Sequence, residues 1–365
     1  MLTYKFRLYP TIAQEKKLLS TLEACRYVYN YFVRNGYMMT TRNDMNYALT
    51  ELKEQKPWLY EYNSKMLQMV STQVAGARKA LRELKKKGYE AGNGKLKFKK
   101  YGEFDTCIIF NQSGFDIDAP NNILYLGKIG RIRMKIHRSI VGNIKQIALK
   151  RKAGRWYACV TTDNNYRMVH SSILEPIDLR KSVGIDVGIK KYAHDSDNNE
   201  IPNPENLKKM LKPLIRAQRK VSRRVKGSQN RKKAIRFYQK IHERIANRRK
   251  DFLHKLSTHY ARKYDMIFIE KLNVLNMVRN HHLARSIMDA SWGTFKQMLE
   301  YKAKMVLEVP APYTTIECSR CGNKVPKSLA VRLHRCDKCG LKIDRDYNSS
   351  HRIKQRGLKD RKSVV

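Results

Sequence analysis

The stretch VGIDVGI, Val183 to Ile189, decides how this chain is read. A strand alternates its side chains between two faces, so Gly184, Asp186 and Gly188 share one face while Val183, Ile185, Val187 and Ile189 share the other. The aliphatic face anchors a strand in a core. The other face carries one carboxylate between two residues without bulk, a cleared space into which a metal ion and a scissile phosphate can approach. Taken alone, a carboxylate at a strand end, bonded to backbone or to a nearby Lys, is the commoner arrangement, so Asp186 needs partners.

Two further acids stand at the ends of elements. Glu270 closes the apolar run MIFIE before KLNV, where a buried charge is costly unless paired or coordinated. Asp346 lies in IDRDYNSSHRI near the start of an expected helix, with Asp344 two residues earlier. An Asp near a helix N-terminus is commonly only a cap. Together, two strand carboxylates and one at a helix start suit two Mg2+ ions held about 3.5 to 4 Å apart, one activating water and the other stabilising the leaving 3′ oxygen. That is the chemistry of RNase H-like nucleases, and it needs no nucleophilic side chain.

Composition says what such a site would act on. The chain has 365 residues, and single cores rarely grow that large, so two or three structural units are expected. Its 76 Lys and Arg against 32 Asp and Glu leave a net charge of +44, a self-repulsion that a polyanion would screen. Nucleic acid, an anionic membrane surface and an acidic protein are all candidates on charge alone. No apolar run approaches the length of about 18 residues that a membrane span needs, and MLTYKFRLYP has a charge where a signal peptide would be apolar. The expected location is therefore the cytoplasm, at the nucleoid when bound to DNA. Cys25, Cys107 and Cys159 are isolated in apolar or aromatic contexts and read as small buried thiols.

The other four cysteines form a pattern. Cys318, Cys321, Cys336 and Cys339 make C-x2-C, a fourteen-residue spacer and C-x2-C, each pair followed by Gly322 or Gly340. Four thiolates at this spacing can surround one Zn2+, and a closed sulfur shell leaves no place for a catalytic water. The expectation is one structural zinc; a redox dithiol or an iron–sulfur cluster fits the basic spacer less well. His334 is not needed as a ligand.

Around these sites the chain divides by pattern. Leu2 to Leu8 alternate as a strand, Thr11 and Gln14 form a capping box, and helical spacing continues to about Lys87. From Gly92 to Asp163 the runs GKLKFKK, TCIIFNQ, NILYLG, IRMKIH, IKQIALKRK and WYACVTT predict an antiparallel sheet or barrel, to which the first strand is expected to pair. Residues 201–250 carry 18 Lys and Arg against Glu205 and Glu243, and predict a basic helical hairpin turning at Gly227 and Ser228. Within and beside it, Arg223, Arg224, Arg248, Arg249 and Lys250 are candidate nucleic-acid contacts.

The order of VGIDVGIKKYA, NRRKDFLHKLS, the block from IFIEKLN to QMLEYKA, the cysteine pairs and DRDYNSS resembles the TnpB family, transposon-encoded RNA-guided nucleases related to type V CRISPR effectors. The resemblance covers nearly the whole chain. It implies a multidomain α+β protein: a wedge-type β-barrel (1–10 and 91–175) carrying a helical recognition module (11–90), and an RNase H-like (RuvC) nuclease domain (176–312, with the basic hairpin 204–262). A zinc ribbon (313–343) and a last RuvC segment with the tail (344–365) follow. It implies that Asp186, Glu270 and Asp346 are the catalytic acids, Asp346 rather than Asp344 because it lies two before Asn348. It further implies a guide RNA from the transposon end, a target double-stranded DNA recognised beside a short motif, and a separately encoded transposase in the same element. Two features depart from the family: Tyr301 to Cys318 is short, and Ser349 and Ser350 stand where two alanines are usual.

Overall fold

A computed structural model describes residues 1–86, 88, 96–110, 114–163, 176–328 and 331–360. The chain divides into two units, Met1–Val169 and His170–Val365.

The first unit runs β1 (Leu2–Tyr9), α1 (Ile12–Arg34), α2 (Arg42–Gln55), a 3-10 turn (Pro57–Glu61) and α3 (Ser64–Lys86). It continues with β2 (Thr106–Phe110), β3 (Phe115–Asp118), β4 (Ile123–Leu126), β5 (Gly130–Lys135), β6 (Ile144–Lys152) and β7 (Arg155–Thr162). Thr11 caps α1 in a reciprocal box with Gln14. The strands form one sheet in the order β2-β6-β7-β1-β5-β4-β3, and every pairing is antiparallel. β1 therefore lies in the middle of a sheet whose other strands come much later, and α1 to α3 form an excursion between β1 and β2. Alternation explains the packing: Tyr4, Phe6 and Leu8 are buried with Trp156, Ala158 and Val160 of β7, while Lys5 and Tyr9 face outward.

One expected strand is absent. Residues 96–100 of GKLKFKK join no ladder and instead run along α1, where Asn30 exchanges hydrogen bonds with the Lys99 backbone at 2.9 and 2.8 Å and Tyr29 Oη donates to Lys97 O. Lys97 O and both Lys99 backbone groups are met by helix side chains rather than by a ladder, so alternation alone misleads. Residues 94 and 95 of that run, and 111 and 112 of TCIIFNQ, lie outside the described residues. β3 was not anticipated.

The second unit opens with β8 (Ser182–Val187), β9 (Lys191–Asp195) and β10 (Glu200–Pro202), then the hairpin α4 (Asn206–Ser222) and α5 (Gln229–Lys263). β11 (Met266–Lys271), α6 (Val274–Met277), α7 (His281–Ala290), α8 (Trp292–Lys302) and β12 (Met305–Pro310) follow, then β13 (Leu333–Arg335), β14 (Lys342–Asp344) and α9 (Arg345–Asp360). The sheet order is β10-β9-β8-β11-β12: an antiparallel meander whose first strand, β8, runs parallel to β11, and β11 parallel to β12. Parallel strands need cover on both faces. Val183, Ile185, Ile267 and Ile269 bury against α5, α7 and α8 through Leu253, Tyr260, Ile287, Trp292, Phe295 and Leu299. Met266, Phe268 and Val309 on the opposite face bury against Ile353 of α9.

The hairpin has its own small core, Leu214, Ala217, Ile241 and Ile245 with Leu207, Met210 and Tyr238, and Ser228 caps α5. Among the described residues no helix is long and apolar enough to cross a membrane.

Candidate active site and metal centre

Phe268 is level with Gly184 in the parallel pair β8–β11. Asp186 and Glu270, each two residues further on, therefore stand on the same face of adjacent strands at their C-terminal ends. Both are half-buried. That face is covered by α9, whose first turn carries Asp346.

The glycine before Asp186 does something other than expected. A Cβ at Gly184 would lie 2.2 Å from Ser350 O and 2.6 Å from Lys354 N, both backbone atoms of α9. Gly184 clears room for a helix, not for a metal or phosphate. Gly357 does the same from the helix side, where a Cβ would lie 2.0 Å from the Phe268 ring. The two glycines let α9 seat close on β8 and β11, bringing Asp346 toward the strand carboxylates.

Asp344 has a different task. Its Oδ1 accepts from the backbone N–H groups of Asp346 and Tyr347 at 2.8 and 3.1 Å, so Asp344 is the cap of α9. Burial pushes its carboxyl up, but those backbone donors and the Lys191 ammonium, 3.4 Å away, hold it below the usual range. His194, the register partner of Asp186 on β9, is 1% exposed, stacks on Tyr347 and sets Nδ1 3.4 Å from Asp344 Oδ1.

Asp186 senses both of the other acids. Burial raises the Asp186 carboxyl well above its ordinary value, the charges of Glu270 and then Asp346 raise it further, and Ser349 and Arg345 oppose this. Ser349 Oγ is buried and finds no partner at full hydrogen-bond geometry among the described residues. Burial also raises Glu270, against a hydrogen bond from Thr314 Oγ1 and the nearby charge of Arg356. Asp346 Oδ1 accepts from Arg345 Nε and Nη2 at 3.1 and 2.9 Å, and Oδ2 faces Arg332 Nη1 at 3.3 Å. Thr314, Arg332, Arg345 and His194 were not singled out from sequence. The only hint was the short segment holding Thr314.

The four cysteines converge. The sulfurs of Cys318, Cys321, Cys336 and Cys339 all lie within 4.8 Å of one another, a set that can hold one metal ion. Each knuckle closes with a backbone bond, Gly322 N to Cys318 O at 2.9 Å and Gly340 N to Cys336 O at 2.8 Å, and both glycines take positive φ. Among the described residues no other group of three such side chains is gathered as tightly; Asp186, Glu270 and Asp346 are neighbours rather than a closed cage. His334 is fully buried with Nδ1 against Lys327 Nζ, outside the sulfur cluster.

Asn348 ties this module to α9: its Nδ2 donates to Glu317 O at 2.8 Å and its Oδ1 accepts from Ser319 N at 2.9 Å, on either side of Cys318.

Of the candidate nucleic-acid contacts, Arg223, Arg224, Arg248 and Lys250 are exposed on the basic hairpin. Arg249 turns inward, with Nε and Nη2 on Asp289 Oδ1 at 3.2 and 2.7 Å, while Asp289 Oδ2 accepts from Leu207 N. Asp289 thus fastens α5 and the start of α4 to α7.

Three family models match the chain: a "Probable transposase" of the OrfB IS605 type over 165–281, a Cas12f1-like TNB domain over 292–353, and a helix-turn-helix of the OrfB type over 1–35. In this last region the structure has β1 and α1. The chain is 30% identical over 380 residues to "Putative RNA-guided DNA endonuclease InsQ" of Escherichia coli K12, covering 96% of this chain and 90% of that one. It is 32% identical to a "Putative RNA-guided DNA endonuclease" of Streptomyces pristinaespiralis, covering 97% and 89%. Among solved structures, CasPhi-2 (Cas12j) bound to crRNA aligns with a TM-score of 0.46 at 10% identity, over 98% of each chain.

Proposed function

The chain belongs to the TnpB family, and on that footing we propose that it is an RNA-guided endonuclease that cuts double-stranded DNA beside a short target-adjacent motif, with Asp186, Glu270 and Asp346 as its acids. The observation that carries this proposal is the juxtaposition of Asp186 and Glu270 on one face of paired parallel strands, under a helix whose first turn holds Asp346.

The sheet order, an antiparallel meander followed by two parallel strands, supports an RNase H-like (RuvC) domain over 176–312 and 344–365. The antiparallel sheet of the first unit supports a wedge-type barrel with the helical module inserted.

The donor sets fit the expected metals. Ionising Asp186 beside Glu270 and Asp346 is costly, a cost that divalent cations would relieve, and Asp186, Glu270 and Asp346 would hold two Mg2+. Bound there, the ions would supply an activated water and stabilise the leaving 3′ oxygen. Four sulfurs within 4.8 Å suit one structural Zn2+. The protein's own groups do the remaining work: α9 and its Asp344 cap set the height of Asp346, and Arg332 and Arg345 balance its charge. Exposed cations of the hairpin meet the phosphates of guide RNA or heteroduplex, and base pairing to the guide reads sequence.

The test is to purify the chain with its cognate transposon-end RNA and add Mg2+ with a plasmid library carrying the guide-matched target beside random bases. Linear product is expected. Binding without cleavage would mean a guided repressor, and strand-joined product a recombinase; either would overturn the proposal.

A further inference from the structure

Thr314 is 1% exposed and sits just after β12, in the short segment that leads to the first cysteine pair. Its Oγ1 lies within hydrogen-bond distance of Glu270 Oε1 and 2.9 Å from Ala311 O. Among the described residues nothing hydrogen-bonds the other carboxylate oxygen, Oε2.

The turn holding Thr314 is tightly made. Tyr313 takes φ +69°, a left-handed conformation that is costly for a bulky residue and persists only where its surroundings impose it. Those surroundings are visible. Ile316 N and Glu317 N both donate to Tyr313 O, at 3.2 and 2.9 Å, and Lys324 Nζ lies 4.5 Å from the Tyr313 ring centre. Arg356 of α9 donates to Pro310 O and Pro312 O at 3.0 and 2.7 Å and to Glu317 Oε2 at 2.8 Å, and Arg352 also pairs with that carboxylate. A rigid turn, braced by α9, thus presents one hydroxyl to one oxygen of Glu270.

We propose that Thr314 is the positioning residue of Glu270: it fixes Oε1 and so leaves Oε2 aimed for a divalent cation. This rests on the assignment of Glu270 as a metal-binding acid. Its direct consequence is that the segment leading from β12 to the first cysteine pair, short as it is, forms part of the nuclease site.

A purely structural threonine would matter for folding but not for metal affinity. The full chain bound to its guide RNA, without target DNA, is titrated with Mn2+ and followed by electron paramagnetic resonance. Binding lost in Glu270→Ala defines the site. Partners that orient a metal ligand typically contribute 10- to 100-fold in affinity, so Thr314→Val is expected to weaken that component by about tenfold or more. Thr314→Ser, which restores the hydroxyl, is expected to recover it. The Mg2+ concentration for half-maximal cleavage should rise by the same factor in Thr314→Val.

Wild-type Mn2+ affinity in Thr314→Val overturns the proposal. If that variant does not fold, Thr314→Ala takes its place with the same expectation, and wild-type affinity there overturns it equally. The underlying assignment fails differently: a wild-type complex that cuts in no divalent cation sinks the nuclease function, whereas a cutting wild type with an unaffected Thr314→Val sinks the role of Thr314 alone.

Discussion

Asp186 is costly to ionise beside Glu270 and Asp346. Burial and then its two acidic neighbours raise the Asp186 carboxyl, so the folded state holds its proton more tightly than the unfolded chain. Stability tied to that proton is present at low pH and is lost as pH rises through the folded value. At neutral pH in Mg2+-free buffer, keeping Asp186 in this site therefore costs stability, and Asp186→Asn is expected to raise the melting temperature. The gain should be about 2–4 °C for each kcal/mol relieved, and should shrink as pH falls toward the ordinary Asp range near about 3.9. Thermal melts of both proteins across pH check this; a lower melting temperature for the variant at pH 7 would contradict it. At this scale the placing of the three acids near element ends was legible, because periodicity has something to say there. Thr314, Arg332 and Arg345 were not, since their importance comes from what folding brings beside them.

The helix α9 organises the second unit. Gly184 admits its backbone, Asp344 caps it, Asn348 and the arginines of its later turns hold the segment around Cys318, and Asp346 rides on its first turn. Gly184→Ala would force a methyl group into the backbone of α9, an overpacking expected to destabilise by about 1–3 kcal/mol. Urea denaturation should show that loss, together with slowed cleavage at temperatures where the variant remains folded. Unchanged stability would mean that the helix is not seated as described. The sequence shows that Gly184 and Asp186 share a face, but a period of two cannot tell what covers that face, because the covering helix lies far downstream. The cysteine pairs are the opposite case, since their chemistry is local. Cys318→Ser combined with Cys336→Ser is expected to abolish bound zinc and to loosen α9, measured by metal analysis and hydrogen exchange; full zinc content would contradict a four-sulfur site.

Across the whole molecule, charge is the dominant property. An excess of 44 positive charges is expected to make affinity for the guide RNA fall steeply with salt, by about 10³-fold or more between about 50 and 200 mM, as for six or more neutralised phosphates. Filter binding across salt concentrations measures this, and a flat profile would mean that the cations serve another purpose. The placing of β1 in the later sheet and the basic hairpin were readable from patterning, whereas the run GKLKFKK was not, because Lys97 O and both Lys99 backbone groups are met by α1 rather than by a ladder. The account of the molecule stands or falls on whether its three acids make one cutting site. The most direct measurement is the single-turnover cleavage of guide-matched DNA by the RNA-bound chain in Mg2+, with target affinity measured in parallel, for the wild type, Asp186→Ala, Glu270→Ala and Asp346→Ala. Each substitution is predicted to slow cleavage by at least on the order of 10²–10³-fold while leaving target binding intact; near-wild-type cutting by any one of the three would contradict the account.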